Sequence, residues 1–251
     1  MKTLAAVALR DVRSLFVTPL GWVLLASLHL LLAYAFLAQV DSYLGLQGKF
    51  AGLANAPGVT RWVVAQWLAN ATVVTLLAVP LLTMRLVAEE KRADTFPLLL
   101  AGPIADWQIV IGKYLAALFF VLLVLVLAVS MPLSLYLGAQ LDLGLLGAGM
   151  LGLFMLLASF AAVGLYMSCL TVQPAAAAAG TYGVLLFLWI LEWGARGGDG
   201  ENVLAYLSLV RHYQSFVNGA IDTRDLAYFS LLIFLFLFLS VRRLQAQRRG
   251  A

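Results

Sequence analysis

Six continuous apolar runs constrain this chain more than any other feature. They cover Leu20–Gln39, Trp62–Met84, Tyr114–Leu137, Leu143–Leu170, Ala175–Leu191 and Leu226–Val241. About 20 helical residues cross the roughly 30 Å hydrocarbon core of a bilayer, so each run reads as a transmembrane helix. Membrane β-strands would alternate apolar and polar positions over about ten residues, and these runs do not alternate. Composition agrees. With 63% hydrophobic and 11% charged residues, the chain has too little polar surface to cover a water-soluble body of 251 residues. The expected fold class is all-α: one polytopic membrane domain over residues 1–251.

The 16 lysines and arginines set the expected orientation. With the amino terminus inside, eleven fall on cytoplasmic segments: Lys2, Arg10, Arg13, Arg85, Lys91, Arg92, Lys113, Arg242, Arg243, Arg248 and Arg249. Lys49, Arg61, Arg196, Arg211 and Arg224 fall outside. The bias favours cytoplasmic termini and an even number of spans. In the first span, Ala33-Tyr34-Ala35 resembles a signal-peptide cleavage site, but the long polar-flanked lead and the span-length apolar run favour an uncleaved helix.

Thr3–Val17 reads as a helix on the membrane surface, with Ala5, Ala8, Leu9, Val12, Leu15 and Phe16 on one side and Arg10, Arg13 and Ser14 on another. Thr18-Pro19 would break it before the first span. Pro80 and Pro132 lie inside apolar helices, where a missing N–H frees a carbonyl and favours a kink. Gly144, Ala148 and Gly152 form a small-residue stripe suited to close helix approach, within the chain or between copies. Gln66, Asn70 and Thr75 place polar groups on the second span, either lining a path or joining helices.

The sequence offers no reaction site. It lacks a phosphate-binding G-x-x-x-x-G-K-[ST] loop, an H-E-x-x-H helix and a G-x-S-x-G elbow. The single cysteine, Cys169, excludes an intrachain disulfide, and His29 and His212 are too few for a metal site. His29, the one ionisable residue near a span centre, is expected to be neutral and hydrogen-bonded to a neighbouring helix rather than to relay protons. No basic face interleaved with aromatics suggests nucleic acid. The chain is therefore expected to have no catalytic residue, cofactor or metal of its own.

The informative segment is Arg85–Lys113. Glu89-Glu90-Lys91-Arg92 continues the second helix past the membrane. Asp94 is expected to cap a short helix with Pro97 in its first turn, Gly102-Pro103 to end it, and Asp106 to cap the third span. Phe96, Leu98, Leu99 and Leu100 would form its apolar side, directed at a cytoplasmic partner or back onto the membrane.

Those residues carry a resemblance. Pro80-Leu-Leu-Thr-Met-Arg-Leu-Val-Ala-Glu-Glu-Lys-Arg92, followed by Thr95, Leu98-Leu99-Leu100 and Pro103, resembles the signature loop of ABC-2 type transporter permeases, in particular the gliding-motility-associated subfamily. Phe16-Val-Thr-Pro19-Leu-Gly-Trp22, Gly112-Lys113-Tyr114, and His212-Tyr-Gln-Ser-Phe216 through Gly219, Asp222, Arg224, Asp225 and Tyr228 extend the likeness over nearly the whole chain. Two positions depart from it: Asp94 stands where the subfamily usually has glycine, and Pro97 where it usually has glutamate.

The resemblance implies an inner-membrane permease, one of two copies or related chains. Two separate ATPase subunits would bind the ATP and magnesium. Glu89, Glu90, Lys91, Arg92, Asp94, Thr95, Phe96, Leu98 and Leu99 would form the coupling element, braced by Thr3–Val17. The subfamily's second membrane component, which has a large extracytoplasmic domain, would meet the external segment Glu192–Asp225 through Arg211, His212, Phe216 and Asp222. In that segment Leu204, Leu207 and Leu209 are expected to dip into the membrane surface, with Asp222 capping the last span. Either export or force transmission to the external partner fits the same loop. An intramembrane lipid-modifying enzyme is the rival from another class, and would need convergent titratable groups at one depth.

Overall fold

The computed structural model describes residues 2–50, 58–102, 104–195 and 206–250. Every regular element among them is helical. In chain order these are α1 (Lys2–Val17), α2 (Pro19–Phe50), a π-helical turn (Thr60–Val64) leading into α3 (Ala65–Thr83), α4 (Arg85–Arg92), α5 (Phe96–Ala101) and α6 (Asp106–Ser134). A 3-10 turn (Leu135–Leu137), α7 (Leu143–Leu170), α8 (Pro174–Ala195), α9 (Leu209–Val217) and α10 (Thr223–Gly250) complete the set.

Six helical stretches are long and apolar enough to cross a membrane: Pro19–Gly48, Thr60–Arg92, Asp106–Leu137, Leu143–Leu170, Pro174–Leu191 and Thr223–Arg249. The chain is thus built as a multi-pass helical membrane protein. Several stretches outrun the apolar runs of the sequence. A helix continues for as long as its backbone bonds and packing allow, and hydropathy marks only the lipid-crossing part. In α2, Val40 and Tyr43 still pack on the core beyond Gln39.

Helix α7 is the axis, with 72% of its most apolar window buried inside the chain, against 22% for α2 and 17% for α10. The outer helices instead show Leu30, Tyr34, Leu37, Phe187, Leu231 and Phe234 on their surfaces, which suits lipid better than water. Around α7 small residues set the spacing. A Cβ on Gly149 would stand 2.2 Å from Leu68 Cδ1, on Gly152 2.4 Å from Phe216 Cβ, and on Gly164 1.9 Å from Thr83 Oγ1. Within the expected stripe, Gly152 therefore packs inside the chain, against α9. Buried polar side chains close onto backbone carbonyls: Trp67 Nε1 donates to Leu32 O (3.0 Å), Tyr114 OH to Ala158 O (3.1 Å) and Tyr213 OH to Leu68 O (3.0 Å).

Several expectations about local structure need correction. On α1 the inward residues are Val7 and Asp11, while Leu9 is 70% exposed. The cause is α6, whose Gly112 leaves room for Val7, so one side of α1 faces protein and another faces outward. His29 Nδ1 is buried with no hydrogen-bond partner, in place of the expected interhelical bond. Thr75 is buried, so it lines no open path, and it donates to Ala71 O and Thr72 O of its own helix, so its hydroxyl joins no neighbouring helix either. Leu209 is fully buried under α7 rather than lying at a membrane surface. Leu204 lies outside the described residues, as does Pro103; Leu207 is exposed.

Candidate functional site

The segment Arg85–Lys113 begins at a break in the second span. Pro80 cannot donate to Leu76 O, and four residues later the α3 ladder stops at Met84. Ser168 of α7 inserts its hydroxyl there. Its Oγ accepts from the N–H groups of Val87 (3.0 Å) and Ala88 (2.9 Å) and donates to Met84 O (3.0 Å). A side chain entering the backbone ladder is a recognised cause of a helix bend. Beside it Lys91 Nζ donates to Cys169 O at 2.5 Å, a cation at the carbonyl end of α7 where the helix dipole favours it. Helix α4 is thereby stitched to the end of α7.

The end of α4 corrects the expected role of Asp94. It caps nothing through its side chain; it is the one described non-glycine residue in the left-handed region, with φ +52°. Thr95 N–H bonds back to Glu90 O (3.0 Å) and Asp94 N–H to Lys91 O (3.3 Å), the paired bonds of a Schellman C-cap. The turn needs a left-handed residue there, which glycine adopts without strain. Pro97 falls in the first turn of α5, where its missing N–H costs nothing. Asp106 sits one residue inside α6, where Ala105 is the cap, and accepts from Arg248 Nη1 of α10 at 3.0 Å. Arg248 also donates to Ile104 O and Gly102 O, both at 3.2 Å, closing the return of the loop.

A charge network locks the other side. Lys113 of α6 is only 1% exposed. Its Nζ donates to Leu86 O (2.6 Å) and Asp11 Oδ2 (3.0 Å) and pairs with Glu90 Oε2 (3.0 Å). Arg10 bridges the same two carboxylates, at 2.8 Å from Asp11 Oδ1 and 2.5 Å from Glu90 Oε1. Burial works against the charge on Arg10, but Asp11 and Glu90 outweigh it and raise its pKa above the ordinary arginine value. Two cations and two anions from α1, α4 and α6 thus offset one another, with Lys113 enclosed as a buried charge that needs such partners and Arg10 reaching the surface.

The expected coupling residues separate accordingly. Glu90 and Lys91 are engaged within the chain, and Phe96 is 4% exposed, under Lys91 Nζ at 5.4 Å from the ring centre. The apolar side of the hairpin is therefore partly an internal anchor, contrary to the expectation for Phe96. Leu99 packs half-buried on the core, and the side chains of Leu98 and Leu100 lie outside the described residues. Among the described side chains of the hairpin, those facing outward are Glu89, Arg92, Asp94 and Thr95, with Ala93 and Pro97 beside them. Glu89 and Arg92 line a broad groove, with Arg85 on α4 and Val172–Ala175 at the α7–α8 turn.

At the opposite end, His212 and Phe216 also turn inward. His212 Nδ1 lies 2.6 Å from Asp225 Oδ1 and Nε2 lies 2.9 Å from Tyr206 O, with the ring stacked on Tyr228 at 4.1 Å. Phe216 is fully buried on Gly152. A partner at this face would find Arg211, set over the Tyr206 ring at 5.8 Å, and Asp222. Asp222 caps α10 by accepting from Arg224 N–H at 3.0 Å.

Arg10, Asp11, Lys113, Ser168 and Arg248 were not singled out by sequence reasoning as site residues. Asp11, an acid on a short apolar helix, was the only local signal of the network. Compared with known protein families and with curated proteins, the chain matches no family model and no curated protein.

Proposed function

We propose that the chain is the permease subunit of an ABC-2 type assembly of the cytoplasmic membrane, with both termini inside, working with a separate ATP-hydrolysing subunit and a second permease copy. The observation that carries this reading is the α4–α5 hairpin. It follows the second span across the break at Met84, leads to the third at Asp106, and is tied down through Ser168, Lys91, Lys113 and Arg248. A lever must be stiff to pass motion to the spans, and such ties suit that task. Its outward rim of Glu89, Arg92, Asp94 and Thr95 is the surface a polar groove on an ATPase would hold.

The test is affinity purification of the full chain from its native membrane in mild detergent, followed by assay of the eluate for ATP hydrolysis. The paired change Glu89→Lys and Arg92→Glu should remove most of the co-purifying ATPase activity while membrane level and thermal stability stay unchanged. Unchanged ATPase recovery would overturn the proposal.

One observation favours force transmission as the second reading. Where Leu28, Thr75, Phe120 and Leu157 meet, the void is about 10 Å³ and wholly apolar, so one chain has no polar path there. Export would then have to run between copies.

A further inference from the structure

A second site lies away from the hairpin, independent of whether an ATPase drives the chain. Between α3, α7, α8 and α9, near the π-turn, is a cavity of about 310 Å³. Its polar wall is Arg61, Gln66, Gln214 and Asn218, and its apolar wall includes Leu156 and Trp189.

The π-turn explains the arrangement. Arg61 and Gln66 are five residues apart, and on an α-helix they would point about 140° from each other. The wider turn of Thr60–Val64, closed by Ala65 N–H on Thr60 O, brings both to one wall. Thr60 Oγ1 accepts from Asp142 N–H at 3.0 Å, which fixes the turn against the start of α7. On α9, Tyr213 bonds to Leu68 O and so holds Gln214 and Asn218 opposite. Among the described residues, none of the four polar side chains has a hydrogen-bond or ion-pair partner, and the cavity has no acidic lining residue. The same stretch, long and apolar enough to cross a membrane, begins at Thr60, so the cation sits at its end, where a lipid headgroup would meet it.

We propose that this cavity binds an anionic amphiphile, its acidic headgroup at Arg61 and the three amides, its chain along Leu156 and Trp189. One cation selects for negative charge, amides both donate to and accept from phosphate or glycerol oxygens, and the apolar wall takes hydrocarbon.

The test reconstitutes the full chain into phosphatidylcholine vesicles containing either brominated phosphatidylglycerol or an equal fraction of brominated phosphatidylcholine. Bromine on the acyl chain quenches nearby indoles. The difference between wild type and Trp189→Phe isolates the cavity's own tryptophan. Brominated phosphatidylglycerol should quench Trp189 more strongly than the choline lipid. Arg61→Gln should weaken that preference about tenfold, while Arg224→Gln, an exposed cation outside the cavity, should leave it intact. Ala69→Phe, which fills the cavity, should protect Trp189 from both lipids. Soluble glycerol 3-phosphate should not relieve the quenching, since it has no chain for the apolar wall. Equal quenching by the two lipids, an unaffected Arg61→Gln protein, or full relief by glycerol 3-phosphate would each overturn the proposal. The last would assign the site to a soluble anion. Arg61 is exposed, so its substitution tests the idea even if Ala69→Phe fails to fold.

Discussion

The two ends of the bundle bury polar groups by different means. At the α1, α4 and α6 end, Arg10, Asp11, Glu90 and Lys113 form a closed set of charges drawn from three helices and more than a hundred positions of sequence. At the α9 end, the polar pair is His212 with Asp225, thirteen residues apart, and the helix is seated by shape, with Phe216 pressed onto Gly152. A charge network fixes which helices meet while tolerating modest changes of volume. A glycine contact tolerates no added atom but is indifferent to charge. The first suits a joint that transmits displacement; the second suits a seat that holds still.

The largest effect should come from breaking the network at its centre. Lys113→Met removes the buried cation and leaves Asp11 and Glu90 facing each other with only Arg10 to share. Removing one partner of a buried pair costs about 3–5 kcal/mol. Arg10→Gln strikes the same carboxylates, but its side chain is 49% exposed, and water replaces much of what it supplies, so the loss should be about 1 kcal/mol or less. Thermal unfolding of the purified chain in one detergent compares the two. Equal destabilisation would mean that the network is held from its surface and that the contrast between the ends is mistaken.

The other end breaks by addition. Gly152→Ala puts a methyl group 2.4 Å from Phe216 Cβ, an atom at the root of its side chain that cannot swing away. Overpacking of this kind costs about 1–3 kcal/mol. Gly147→Ala on the same helix meets nothing within 4 Å and should be neutral or slightly stabilising, because alanine is the better helix former. If both alanines behave alike under thermal unfolding, α9 is not seated through Gly152.

How much of this the sequence disclosed follows from the range of each signal. Apolar runs report on lipid, which is everywhere, so the six spans were legible one helix at a time. Pro97 and Asp222 were legible because their jobs are done within a few residues. Lys113 was not. In the sequence it is one more cation at the end of a span, and its partner Asp11 is 102 positions away. Ser168 was hidden for the same reason: a serine in an apolar helix carries no mark that it will mend a break in another helix. Phe96 and Phe216 looked like surface anchors because an apolar residue in a polar loop reads alike whether it turns inward or outward.

Asp94 gives the smallest effect and the finest test of the hairpin. The expectation from its side chain, a helix N-cap, and the conformation it adopts, a left-handed C-cap, predict opposite results for one substitution. If the carboxylate capped α5, Asp94→Gly would lose a few tenths of a kcal/mol or more. With φ at +52°, glycine instead relieves part of the roughly 1–2 kcal/mol that a side chain costs in this region. Its greater freedom in the unfolded chain offsets some of that gain. The net should be a stabilisation of a few tenths to about 1 kcal/mol. Asp94→Val, branched at Cβ and least tolerant of positive φ, should lose about 1 kcal/mol or more. The ordering glycine above aspartate above valine in thermal unfolding is the signature of a backbone-imposed turn. Aspartate above both would return the capping role to its carboxylate and loosen the hairpin on which the stiff-lever reading depends.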